Sequence, residues 1–507
     1  MNKVVSLSDS ATVVSVSPVT GTRYELPPSS SDRENIRGFV DGQPGKPVVA
    51  VQGLGFVGAV MSLVCANAHG ASYAVLGVDL PMAETYWRIR SLNDGLFPLT
   101  AEDPKIEQFF EQAREQGNFY ATFDPYAYAH ADVVIVDVNL DVDKEASEWR
   151  DLTGYEVDLS GLRSAIEAIG RNCKEDVLVL VETTVPPGTC QKVLQPILAE
   201  CLRARGLSKE RFRLGHSYER VMPGPNYVDS IRSFPRVYAG VDDASADATQ
   251  AFLETIIDTE QCQLTRLENT NATEMAKVLE NAYRAMNIAF VVEWSRFAEE
   301  AGVDLYEIVR AIRQRPTHAN LMLPGIGVGG YCLTKDPLLA SWARQELFDG
   351  DGPLTHSERA VAVNDKMPEY AYNFLRREFG DLSGARVALF GVSYRGEVGD
   401  TRSTPVELFY NCLASAGATI LAHDPYVTHW AEKDLPVSPE LEKVLELSPD
   451  VVVLSTGHRM YAREETIDQL MERNGLFVYD TIGVLSAEQI VRLRQRHTVK
   501  VLGRGDL

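Results

Sequence analysis

Short, almost unbroken apolar runs alternate along this chain with longer stretches of helical periodicity. VVAVQ (48–52), YAVLGVD (73–79), ADVVIVDV (131–138) and DVLVLVE (176–182) are runs of the first kind. Runs of four to eight residues rich in Val, Ile and Leu read as strands covered on both faces. Their alternation with helical stretches predicts a parallel sheet with right-handed crossovers. A second block of the same type begins near Gly384, with ARVALFGVS, ATILAHD, DVVVLSTG and GLFVYDTIG. Between the blocks, residues 270–301 hold no Pro and no Gly, and their apolar positions recur at helical spacing. Gly302 is placed to stop that helix. Helical stretches continue to about residue 350, interrupted by the glycine-rich LPGIGVGGYC.

The pattern divides the chain into four parts. Residues 1–46, rich in Ser, Pro and Gly, read as an arm. Residues 47–265 form one α/β domain, 266–350 a central helical region with the cysteine loop, and 351–507 a second α/β domain. The expected class is α/β, with two parallel-sheet domains joined by the helical region.

Charge narrows the function. The 507 residues carry a formal net charge of -22, which argues against nucleic-acid partners, since these need a basic footprint. The seven Cys form no CxxC pair, so no metal site is expected, and the scattered set suits a reducing cytoplasm. The N-terminus lacks the apolar core of a signal peptide. No apolar run reaches membrane-spanning length, so no membrane partner is expected.

Gly53, Gly55 and Gly58 stand at GxGxxG spacing in Gly53-Leu54-Gly55-Phe56-Val57-Gly58, between a strand-like run and a helical one. Glycines there allow a tight turn, close approach of pyrophosphate, and helix–strand packing. The helix N-terminus that follows supplies N–H donors to phosphate. Asp79 closes the next strand-like run, where an acid binds ribose hydroxyls and favours NAD over NADP. A second glycine loop, Pro324 to Tyr331, leads into Cys332, with Lys335 and Asp336 close behind. A thiol there is placed for nucleophilic work, and a nearby Lys would favour the thiolate. Lys277 and Asn281 are neighbours at i and i+4 on the central helix, where ammonium and amide could stabilise a developing oxyanion. Glu182 ends a strand-like run, at the end of the sheet where open α/β folds bind ligands.

GLGFVG, ETTVPPGT, SYERVMPG, KVLENAYRA, PGIGVGGYCLTKD and VSYRGEVGDTRSTPVE occur in this order between about Val48 and Leu502. The set resembles the UDP-glucose/GDP-mannose dehydrogenase family. The resemblance implies an N-terminal Rossmann domain for NAD, a central dimerisation region and a Rossmann-like domain for UDP. It implies a four-electron oxidation of a UDP-hexose or UDP-N-acetylhexosamine at C6, using two NAD per product and a thiohemiacetal and thioester on Cys332. Asp336 then matches the acid that moves protons near the thiol. Lys277 and Asn281 match the pair on the reacting oxygen, and Glu182 the acid that acts with water on the thioester. Arg402 matches an Arg reaching the NAD region. Glu219, Arg220, Gly325, Gly329, Tyr394 and Arg395 match substrate positions, and Arg315 lies near an Arg that reaches a neighbouring subunit's substrate. A homodimer or higher oligomer is implied.

Three departures stand out. Leu140-Asp141 replace the usual Thr-Pro pair after the third run. Tyr394-Arg395 replace a frequent aromatic-Lys pair. The cysteine loop mixes features of the N-acetylhexosamine and glucose subgroups, which leaves the sugar open. Two other readings stay open: a two-electron hydroxyacid-type dehydrogenase, which needs no Cys332, and a non-catalytic nucleotide-sugar binding protein.

Overall fold

The structure is a computed structural model and describes residues 13–27, 31–99, 103–146, 152–208, 211–218, 220–221 and 224–507. It divides into two compact units, Met1–Asp141 with Asp158–Met275, and Val142–Val157 with Ala276–Leu507.

The first unit is built on an eight-stranded sheet of β1 (Val48–Gln52), β2 (Ala74–Val78), β3 (Phe119–Thr122), β4 (Val133–Val136), β5 (Leu178–Val181), β6 (Arg213–His216), β7 (Arg236–Gly240) and β8 (Leu264–Arg266). The strand order is β8-β7-β6-β5-β4-β1-β2-β3. Every residue of β1, β2, β4 and β5 is buried, which is why these strands read as continuous apolar runs. The sheet is parallel except where β6 meets β7. An antiparallel neighbour needs no crossover helix; among the described residues between them only Tyr227–Arg232 is helical. Helix α1 (Phe56–Ala66) follows β1. The chain order reverses on either side of β1, so the crevice beyond its C-terminal end is the ligand position of such a fold. Among the described residues of the N-terminal arm, Val14–Val16 pairs with Arg23–Glu25, and Arg33–Asp41 is helical.

The second unit contains nearly all of α2 (Thr270–Ala301), then α3 (Asp336–Glu346), α4 (Thr355–Phe379) and α5 (Pro405–Ser415). Gly302 ends α2 with a φ of +71°, as its position predicted. A parallel five-stranded sheet, β9 (Arg386–Phe390), β10 (Thr419–His423), β11 (Val451–Leu454), β12 (Phe477–Asp480) and β13 (Thr498–Val501), has the order β10-β9-β11-β12-β13. A hairpin of Val142–Ala146 and Leu152–Val157 belongs to this unit, although its sequence neighbours belong to the first. Tyr155 donates to Glu358 at 2.5 Å, and Lys144 pairs with Asp365 at 2.6 Å. The hairpin begins directly after Leu140-Asp141, the pair that stands where Thr-Pro was expected. Among the described residues no helix is long and apolar enough to cross a membrane.

Candidate active site

The glycine loop fits a dinucleotide for three separate reasons. Gly53 has a φ of +96°, and a Cβ there would collide with the Asp137 carbonyl. A Cβ on Gly58 would strike the Gly53 carbonyl and approach the Asp137 side chain at 3.3 Å. Gly55 is different: a Cβ would meet nothing within 4 Å. The space at Gly55 is what pyrophosphate needs, while the other two glycines let the backbone fold tightly beside it. Phe56 and Val57 open α1, and a helix N-terminus offers N–H donors to phosphate. Asp79, 7% exposed, accepts from Leu54 N–H of the loop at 3.1 Å and from Leu80 N–H at 2.8 Å. Arg88 lies 3.4 Å away. Burial raises the Asp79 carboxyl above its ordinary value against the pull of Arg88 and these amides.

Glu182 sits at the end of β5 and is fully buried. Arg236, 1% exposed, donates to its Oε1 at 3.1 Å. No local pattern marks this partner, which comes from a strand 54 residues away. After Glu182, the Pro186-Pro187-Gly188 turn is held by Glu274, which accepts from Gly188 N–H at 2.6 Å and Cys190 N–H at 2.8 Å. Burial pushes the Glu274 carboxyl up to about 7. Glu274 escaped the sequence reading, though its place three residues before Lys277 on a helix was a usable signal. Arg220 lies over the Tyr218 ring, its Cζ 5.7 Å from the centroid. Glu219 lies outside the described residues.

In the second unit Cys332 is an exposed thiol, whereas five of the other six cysteines are buried. The Cys332 carbonyl accepts from Asp336 N–H at 2.9 Å and Lys335 N–H at 3.2 Å, which winds the chain into α3. Asp336 is fully buried in the first turn of α3. Asn281 donates to one of its oxygens at 2.6 Å and Lys335 to the other at 2.9 Å. The Lys335 ammonium also stands 4.4 Å from the Tyr331 ring centroid. Lys335 was expected to favour the thiolate; its ammonium is held first by Asp336. Lys277, 7% exposed, is one turn before Asn281 on α2.

The glycines of this loop answer to distant residues. A Cβ on Gly329 would lie 2.7 Å from Pro405 and Tyr394 atoms. One on Gly330, φ +81°, would lie 2.7 Å from the Tyr394 ring. Gly325 has no neighbour within 4 Å of its Cβ position, the open case in this loop. Burial raises the Tyr394 hydroxyl, with Asp400 and Cys332 adding to it. Arg395 is exposed beside it, and Arg402 pairs with Asp400 at 2.7 Å. Arg315 is exposed at the end of the turn after Leu305–Arg313. Beneath the Tyr394 segment, His458 Nε2 lies 3.1 Å from Asp424 and from Ser393 Oγ, and Glu397 N–H donates to His458 Nδ1 at 3.0 Å. Burial would raise Asp424, but the His458 contact and backbone amides bring it below its ordinary value. The sequence reading missed this network. Among the described residues no cluster of His, Cys, Asp or Glu could hold a metal ion.

Comparison with known proteins agrees with these features. Three models of the UDP-glucose/GDP-mannose dehydrogenase family match: the NAD binding domain at 48–257, the central domain at 271–366 and the UDP binding domain at 388–487. UDP-N-acetyl-D-mannosamine dehydrogenase of Pyrococcus horikoshii is 30% identical over 81% of this chain and 89% of its own length. NDP-N-acetyl-D-galactosaminuronic acid dehydrogenase of Ralstonia nicotianae is 26% identical over 87% of this chain and 97% of its own. The solved structure of the UDP-D-ManNAc dehydrogenase from Pyrococcus horikoshii superposes with a TM-score of 0.75 at 26% identity, covering 91% of this chain and all of that one. The chain is an NAD-dependent nucleotide-sugar dehydrogenase and belongs to the UDP-glucose/GDP-mannose dehydrogenase family.

Proposed function

We propose that this enzyme oxidises the C6 alcohol of a UDP-N-acetylhexosamine to the carboxylate in two successive oxidations, through a thioester on Cys332. The observation that carries the reading is the exposed Cys332 thiol at the head of α3, beside a buried Asp336 held by Asn281 and Lys335. The N-acetylated sugar is favoured by the relatives, whose names specify N-acetylmannosamine and N-acetylgalactosaminuronic acid.

NAD, when bound at the glycine loop, accepts the two electrons and hydrogen of each oxidation. Lys277 and Asn281 hold the reacting oxygen as charge builds on it. The Cys332 sulfur adds to the aldehyde carbon, and the carbonyl oxygen takes a proton to give a thiohemiacetal. Oxidation of that carbon gives the thioester. Water then breaks the carbon–sulfur bond, releasing the acid and returning the thiol. Asp336, four residues after Cys332 and fixed by two donors, is assigned the thiol proton. Glu182 is assigned the hydrolytic water. Its side chain is buried and paired with Arg236 at 3.1 Å. Glu182→Gln should accumulate an acyl adduct on Cys332 by intact mass; loss of stability with no adduct would make it structural.

Glu219, Arg220, Gly325, Gly329, Tyr394 and Arg395 are proposed to contact the nucleotide sugar, and Arg402 the NAD region. The exposed apolar residues Leu279, Tyr283, Met286, Phe290, Trp294 and Phe297 repeat every three or four positions along α2. Contiguous exposed apolar surface marks interaction sites, and a second copy of this chain is the proposed occupant of this stripe, with Arg315 reaching the neighbour's substrate. Trp294→Glu should give monomers by light scattering. The seven scattered cysteines suit a reducing cytoplasm. Cys332→Ala should abolish acid formation and leave UDP-sugar binding intact by calorimetry. Acid made by that variant would defeat the covalent mechanism.

A further inference from the structure

Helix Tyr86–Asn93 begins without a cap of its own, since Thr85 at its N-cap position makes no side-chain hydrogen bond to the first turn. Helix N-termini leave N–H groups that need a partner. Here the partner comes from the N-terminal arm. Ser15, fully buried in the Val14–Val16 strand, accepts from Trp87 N–H at 2.9 Å and donates to the Ala83 carbonyl at 2.6 Å. It caps a helix 72 residues away in sequence. The second strand of the arm follows the same helix, with Tyr24 Oη 3.4 Å from Ser91 Oγ.

That helix bears on the cofactor loop. Its Arg88 reaches Asp79 at 3.4 Å, and the same Asp79 oxygen accepts from Leu54 N–H between Gly53 and Gly55. A second anchor lies on β3. Asp32 of the arm accepts from Tyr120 at 2.9 Å and Thr122 at 2.7 Å, and the Thr122 carbonyl accepts from Asp79 N–H at 3.1 Å. Two routes therefore run from the arm to the carboxylate placed for the adenosine ribose.

We infer that Ser15 is a positioning residue for dinucleotide binding: by capping helix Tyr86–Asn93 it holds Arg88, and through it Asp79, in the geometry the adenosine ribose requires. The inference rests on Asp79 as the ribose-binding acid. The arm thereby acquires a role that its composition did not suggest. Its effect is confined to cofactor affinity, because every contact in the path lies in the NAD-binding unit.

The test is calorimetric titration of the full chain with NAD, and separately with UDP, without turnover. Ser15→Ala should weaken NAD about five-fold, the equivalent of a lost helix cap of about 1 kcal/mol, with UDP unchanged. Arg88→Met should weaken NAD at least as much. The double variant should bind NAD no worse than Arg88→Met alone, since both act along one path. Asp79→Ala serves as the control. If it binds NAD like the wild type, the ribose assignment fails. If it loses NAD affinity while Ser15→Ala does not, the inference about Ser15 fails. A Ser15→Ala protein with lower melting temperature but unaltered NAD affinity also overturns it. Should Ser15→Ala fail to fold, the near-isosteric Ser15→Cys, scored the same way, decides the matter.

Discussion

The two glycine-rich loops look alike in sequence and differ in what makes glycine necessary. In Gly53–Gly58 one remote contact, the Asp137 carbonyl over Gly53, is joined by local ones. Gly53 turns with positive φ, Gly58 packs against Gly53 itself, and Gly55 faces open space. In Gly325–Gly330 the constraints are remote. Gly329 and Gly330 are pressed by Tyr394 and Pro405, more than sixty residues downstream. A loop of the first kind declares itself through spacing. One of the second kind carries meaning only once its partners are known.

This contrast can be broken in three ways. Remote contacts also act in the cofactor unit, and Glu274 gives the largest expected effect there. Burial lifts its folded value from 4.5 to about 7. The folded state then holds its proton more tightly than the unfolded chain, so stability is fully present below about 4.5 and falls as pH rises through about 7. The loss is on the order of 3 kcal/mol for a shift of this size. Glu274→Gln has no such titration. Its melting temperature relative to the wild type should rise between those pH values, and a constant difference would contradict the buried-acid assignment.

Gly330→Ala tests the cysteine loop. It strains a φ of +81° and drives a methyl into the Tyr394 ring. Displacement by about an ångström near a reacting group costs about 10²-fold in rate. kcat should fall by that order with NAD affinity unchanged. A drop in NAD affinity instead would place Gly330 in the wrong site. The smallest effect comes from Gly55→Ala. Because nothing in the protein lies near its Cβ position, melting without ligand should be unaltered. NAD should bind about tenfold more weakly, as the methyl takes space reserved for pyrophosphate. A destabilised protein with normal NAD affinity would reverse the assignment.

Much of the fold was legible because buried strands leave apolar runs: β1, β2, β4, β5, β11 and β12 are buried throughout, and β9 and β10, exposed at their first residue, were marked as well. β3, β6, β7, β8 and β13 are three to five residues long and mixed in polarity, so periodicity passed over them. The candidate site was legible where a motif has a fixed spacing, as at Gly53–Gly58 or in the proposed pair Lys277 and Asn281. Arg236, Glu274 and Ser15 were not, because each matters through a partner brought near only by folding. Ser15 in particular sits in a segment whose Ser and Pro content resembles a free arm. Its burial comes from the hairpin, which no local pattern of three-residue strands announces.

The proposed route holds the aldehyde on Cys332 between two successive oxidations. It is tested most directly by counting NADH formed per UDP-sugar consumed under limiting sugar, with the product identified by mass. The expected result is two NADH and one uronic acid per sugar. One NADH per sugar with a free aldehyde as the product would contradict it.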